Sequence, residues 1–133
     1  MATALRQAEE LPPHGGIVLL EIGGNDLLGP TTVEQFETGL SRLLERVCVP
    51  GRTVLMFELP LPPLRNEFGR IQRRLARQYG IGLIPRRVLI SVLTGEGATL
   101  DSIHLSPRGH GRLAETVWDI VGQSGGDRVI SGP

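Results

Sequence analysis

Two short segments hold residue types that could do chemistry. The first is Asp101-Ser102-Ile103-His104, which continues as Leu105-Ser106-Pro107-Arg108-Gly109-His110. A carboxylate three residues before an imidazole can accept a hydrogen bond from one ring nitrogen. That fixes the tautomer and leaves the other nitrogen as a general base. The second segment is Gly23-Gly24-Asn25-Asp26. Its glycines let the backbone turn sharply, and the Asn25 side-chain amide can donate to a developing oxyanion. Each segment also has a plainer reading. Taken alone, residues 23–26 read first as a tight turn in which Asn25 or Asp26 caps the backbone. Residues 101–104 read equally as a loop whose Asp and His hold their own main chain. His110 reads as a first-turn helix residue, and His14, in a Pro/Gly turn, as inert.

The elements around these segments alternate. Residues 3–10 read as the end of a helix, broken by Leu11-Pro12-Pro13-His14-Gly15-Gly16. Ile17-Val18-Leu19-Leu20-Glu21-Ile22 is short and apolar, as expected of a parallel strand buried on both faces. Residues 23–26 turn at its carboxyl end. Thr31-Thr32-Val33-Glu34 reads as a capping box with Thr31 as N-cap and Glu34 reaching back. Val33, Phe36, Leu40, Leu43, Leu44 and Val47 follow at helical spacing. Residues 53–59 predict a second buried strand. Pro60, Pro62 and Pro63 stiffen the next connection, and a helix then carries Phe68, Ile71, Leu75 and Tyr79, with Gly80 at its C′ position. Residues 81–85 form a third strand, 86–93 a brief helix and 94–103 a loop. Ser106 and Pro107 suit the N-cap and N1 of a last helix. Leu113, Val117, Ile120 and Val121 mark its inner face, Gly125-Gly126 closes it, and 127–133 form a tail. Strands alternating with helices imply an α/β parallel sheet with right-handed crossovers.

Composition narrows the function classes. The chain has 133 residues, one domain's worth, with 40% hydrophobic and 21% charged residues. Lys+Arg and Asp+Glu both number 14, which removes a chain-wide electrostatic case for nucleic acid or an anionic membrane. Arg65, Arg70, Arg73, Arg74, Arg77, Arg86 and Arg87 do cluster, but on the helix they fall opposite Phe68, Ile71 and Leu75. They read as a solvated face. Thr94-Gly95-Glu96-Gly97-Ala98 lacks the Lys-Ser/Thr partner of a phosphate loop. The one cysteine, Cys48, cannot form an internal disulfide, and no Cys/His pair has zinc-ligand spacing. No apolar run approaches the ~18 residues of a membrane span.

Taken together, the Gly-x-Asn-Asp block after a strand and the Asp-x-x-His block with its Leu-Ser-Pro-x-Gly-His continuation resemble the SGNH (GDSL-type) ester hydrolase family. The resemblance covers about residues 1–122. It implies a flavodoxin-like three-layer α/β/α fold and hydrolysis of a small acyl ester or thioester by serine acyl transfer. Esterases, lipases, thioesterases and carbohydrate deacetylases share this pattern. It implies Asn25 in the oxyanion hole, His104 as base, Asp101 as its orienter, Gly23, Gly24 and Asp26 as turn support, and no metal or cofactor.

The family's Gly-Asp-Ser nucleophile block does not occur in these residues. Ser41, Ser91, Ser102, Ser106, Ser124 and Ser131 all lie in other contexts. The resemblance therefore predicts the C-terminal part of one hydrolase domain over residues 1–126, with the first strands missing. The gap would be on the order of 60 residues at ~30 per β-α-β unit. Residues 17–22 would then form an open apolar edge, prone to self-association and a poor basis for solitary folding. The expected parent is an ester hydrolase, and this chain alone is expected to be inactive. The alternative is a non-catalytic interaction module that uses the strand edge. Compartment stays open: cytoplasmic if Met1 is the true start, with any export signal otherwise upstream.

Overall fold

The computed structural model describes residues 1–60, 66–100 and 104–124. They fall into two compact units, Met1–Ile84 and Pro85–Pro133. The first unit runs α1 (Ala2–Glu9), β1 (Ile17–Leu20), α2 (Gly24–Leu28), α3 (Val33–Val47), β2 (Thr53–Phe57), α4 (Asn66–Tyr79) and β3 (Gly82–Ile84). The second holds α5 (Arg86–Leu93) and α6 (Pro107–Ser124). The alternation read from the sequence is present, with one addition: the segment expected as a turn at 23–26 opens the short helix α2.

The three strands are parallel in the order β1-β2-β3. Moving one strand over at each crossover with constant hand puts α3 and α4 on the same sheet face. The core follows from that. Leu20, Val54 and Met56 project from this face against Phe36, Leu40, Leu43 and Leu44 of α3 and Phe68, Ile71 and Leu75 of α4. Ala8 of α1 joins the same cluster. The inward positions of α3 and α4 recur at three and four residues, as an amphipathic helix requires.

The start of α3 corrects the sequence reading by one residue. Thr32, not Thr31, is the N-cap. Gln35 N donates to Thr32 Oγ1 at 3.2 Å and Thr32 N donates to Gln35 Oε1 at 2.9 Å, so Gln35 takes the place given to Glu34. Thr31 bonds elsewhere, its hydroxyl donating to the buried Asp26 Oδ1 at 3.3 Å. Two adjacent threonines each followed three residues later by Glu or Gln make either register plausible from sequence, and the tertiary partner of Thr31 decides it. The end of α4 is as expected. Gly80 has φ 63°, its N–H donates to Arg77 O, and Ile81 N–H donates to Ala76 O, which is the paired bonding of a Schellman motif.

The strands are shorter than predicted. β1 stops at Leu20 and β2 at Phe57. Past Phe57 a side chain takes over the backbone's partners: Gln72, fully buried, accepts from Leu59 N at 2.9 Å and donates to Phe57 O at 3.1 Å. Nor is β1 buried on both faces. Ile17 is 53% exposed and Leu19 38% exposed; their side chains project from the face opposite the one that meets α3 and α4. The equivalent face of β2 and β3 is better covered, with Leu55, Phe57 and Ile84 all buried.

On α4, Arg70, Arg73 and Arg74 are paired with Glu67, Glu58 and Glu37. Among the described residues no helix is long and apolar enough to cross a membrane.

Candidate active site

The turn that carries Asn25 is built by Gly23. This residue has φ 95°, in the left-handed region that favours glycine. A Cβ there would also lie 3.0 Å from Leu59 Cδ1 and 3.0 Å from Phe36 Cε2. The first unit therefore requires Gly23 twice, for its conformation and for its packing. Gly24 differs, since a Cβ there meets nothing within 4 Å. The sharp reversal lets α2 start soon after β1 ends, and Leu27 N–H closes the turn onto Gly23 O at 2.8 Å.

Asn25 sits in the first turn of α2 and is exposed. No side chain caps this helix, so the capping role open to Asn25 in the sequence is not taken. Its side-chain amide has no hydrogen-bond partner among the described residues and stands at the carboxyl end of β1. Such an amide is able to donate to a negatively charged oxygen. Asp26, the next residue, has its carboxylate turned inward. It accepts from Thr31 and from the Met1 amino group, the latter at 3.1 Å. Asp26 thus ties the turn to α1 and to the entry of α3.

The sequence reading missed three residues that support this turn. Phe36 and Leu59 form the wall that Gly23 approaches, and Gln72 fixes the main chain on both sides of Glu58. A signal for Gln72 exists in the sequence. It falls on the apolar stripe of α4 between Ile71 and Leu75, where a polar residue needs an internal partner. Phe36 is held in turn by Phe68, with ring centroids 4.8 Å apart.

In the second unit, His104 is exposed. It lies just after the segment 101–103, so Asp101 and Ser102 lie outside the described residues. An antiparallel bridge between Thr99 and Leu105 positions it, with Leu100 N–H donating to His104 O at 2.8 Å and Ser106 N–H to Ala98 O at 2.8 Å. Ser106 caps α6 as expected: its Oγ accepts from Gly109 N at 3.1 Å and donates to Gly97 O at 2.5 Å. Gly109 has no room for a side chain, because a Cβ would strike the Ala98 carbonyl. The Leu-Ser-Pro-x-Gly-His run is therefore a device that locks the first turn of α6 to the loop bearing His104. His110 is exposed on α6 and His14 is exposed before β1.

Other nucleophile types are engaged elsewhere. Ser91 Oγ donates to Val88 O at 2.7 Å. Cys48 is half-buried; burial pushes its thiol pKa up, and the nearby Arg52 guanidinium offsets part of that. Among the described residues no group of three or more His, Cys, Asp or Glu side chains could hold a metal ion.

The chain is similar to Esterase TesA of Pseudomonas aeruginosa, with 30% identity over 124 residues. The match covers 86% of this chain and 58% of that esterase, so the chain spans little more than half the length of this relative. No family model matches the chain. No solved structure matches it.

Proposed function

We propose that these residues supply the oxyanion donor and the general base of an SGNH-type ester or thioester hydrolase, within a flavodoxin-like α/β/α fold. The observation that carries the reading is the similarity to an esterase along most of the chain. The unpaired Asn25 amide at the carboxyl end of a parallel strand supports it, since that end is where open α/β sheets bind ligands.

The chemistry is acyl transfer through serine. The nucleophile comes from a Gly-Asp-Ser segment, which these 133 residues do not contain. His104 takes the serine proton as the hydroxyl oxygen adds to the acyl carbon. Asp101 accepts from the other ring nitrogen and holds the tautomer. Asn25 Nδ2–H donates to the carbonyl oxygen as it becomes an oxyanion. Collapse expels the alcohol or thiol, protonated by His104. Water then repeats the sequence on the acyl-serine and releases the acid.

The second reading, an interaction module, has its own observation: the open edge of β1 with Ile17 and Leu19 exposed. A fluorophosphonate probe tests the catalytic reading. It should leave this chain unlabelled and label the added serine once a family-type Gly-Asp-Ser segment is joined ahead of Met1. Labelling should vanish on His104→Ala. Labelling that persists in that variant would contradict the assignment of His104, and labelling of the chain alone would show a nucleophile among its own serines.

A further inference from the structure

Asn25 is exposed, so its amide is held only through the helix that carries it. That helix, α2, is five residues long, too short to be stable by its own hydrogen bonds. Leu27 N–H donates to Gly23 O at 2.8 Å and Gly29 N–H to Asn25 O at 2.9 Å. Two side chains tether it further. Leu27 enters the core, and the buried Asp26 accepts from Thr31 Oγ1 at 3.3 Å. Thr31 is fixed from the other side. It precedes Thr32, whose capping box with Gln35 starts α3, and α3 is anchored in the core by Phe36, Leu40, Leu43 and Leu44. A line of contacts thus runs from the core through α3, Thr31 and Asp26 to the residue beside Asn25. Asp26 has a second partner in the Met1 amino group, at 3.1 Å. A segment joined ahead of Met1 makes that group an uncharged peptide nitrogen, whereas the Thr31 hydroxyl stays.

We propose that Thr31 is a positioning residue: through Asp26 it holds α2 in the orientation that aims the Asn25 amide. The inference rests on the oxyanion reading of Asn25 and adds a residue to it. Without the hydroxyl, a buried carboxylate is left short of a hydrogen bond, and such a group costs more than the bond itself contributes. The carboxylate then turns toward water and loosens the five-residue helix with it. An oxyanion donor works because it is already in place when charge develops. A donor on a loosened helix loses that advantage in the transition state, while its weak contact with a neutral carbonyl changes little. The loss therefore falls on kcat rather than on KM.

The test has two arms. On the chain as it stands, amide hydrogen exchange measures the tether. Thr31→Val keeps the shape without the hydroxyl, and it should speed exchange at Leu27 and Gly29 by about tenfold, the scale of one hydrogen bond to a charged group. The Phe36 and Leu40 amides of α3 should keep their rates, and Thr31→Ser should restore those of Leu27 and Gly29. In the chain joined to a Gly-Asp-Ser segment, Thr31→Val should lower kcat for p-nitrophenyl acetate about tenfold with KM nearly unchanged, a part of the ~10²-fold that a misplaced group can cost. Thr31→Ser should recover it. Thr31→Val added to Asn25→Ala should lower kcat no further, a non-additivity that a general loss of structure does not produce. Unchanged exchange at Leu27 and Gly29 would overturn the proposal, as would a kcat loss of the same size in the Asn25→Ala background. A wild-type kcat in Thr31→Val, with Asn25→Ala slow, overturns this proposal and leaves the oxyanion reading standing. A wild-type kcat in Asn25→Ala overturns both.

Discussion

Asn25 and Gly23 show how little of a candidate site lies in the reacting group. The amide itself is one exposed side chain. Its place depends on a left-handed glycine pressed between Phe36 and Leu59. If Asn25 is an oxyanion donor, Asn25→Ala in a chain completed with a Gly-Asp-Ser segment should lower kcat by ~10²–10³. KM for a p-nitrophenyl ester should change little, because the bond strengthens only as charge develops. Steady-state kinetics decides it, and an unchanged kcat returns Asn25 to a turn residue. Asp26, beside it, is a buried carboxylate binding Thr31 and the amino terminus. The two neighbours look alike in sequence, and only burial separates an outward amide from an inward acid.

At the scale of elements, much of the fold was legible. The order of helices and strands, the Gly80 ending of α4 and the Ser106 start of α6 all followed from apolar period and terminal chemistry. These are local signals, and local hydrogen bonds answer them. What was not legible depended on distant partners. The N-cap of α3 shifted by one residue because Thr31 bonds Asp26. β2 ended early because Gln72 claims the main chain after Phe57. β1 lost burial on the face opposite α3 and α4, where Ile17 and Leu19 are exposed. The site showed the same division. Its two blocks stood out by residue type, whereas the support from Phe36, Leu59 and Gln72 emerged only with packing. Gln72 gives a direct test. Gln72→Leu keeps the shape near that of a core residue but leaves Leu59 N–H and Phe57 C=O without their partner. Stability should fall by about 1–3 kcal/mol per buried group left unsatisfied, read from the urea midpoint at unchanged m-value. A loss within the ~0.5 kcal/mol usual for surface changes would show that the clamp contributes little.

For the whole molecule, the first unit buries a continuous core between one sheet face and α1, α3 and α4, yet leaves Ile17 and Leu19 in solvent. The second unit fixes the loop before α6 with Ser106 and Gly109. Asn25 belongs to the first and His104 to the second. The proposal to be tested is that His104 is the general base of an acyl-transfer reaction. The most direct measurement is the rate of p-nitrophenyl acetate hydrolysis by the chain joined to a family-type Gly-Asp-Ser segment, with and without His104→Ala. The account predicts turnover well above the buffer rate that falls to near background in the variant. Equal turnover by the two proteins would contradict it.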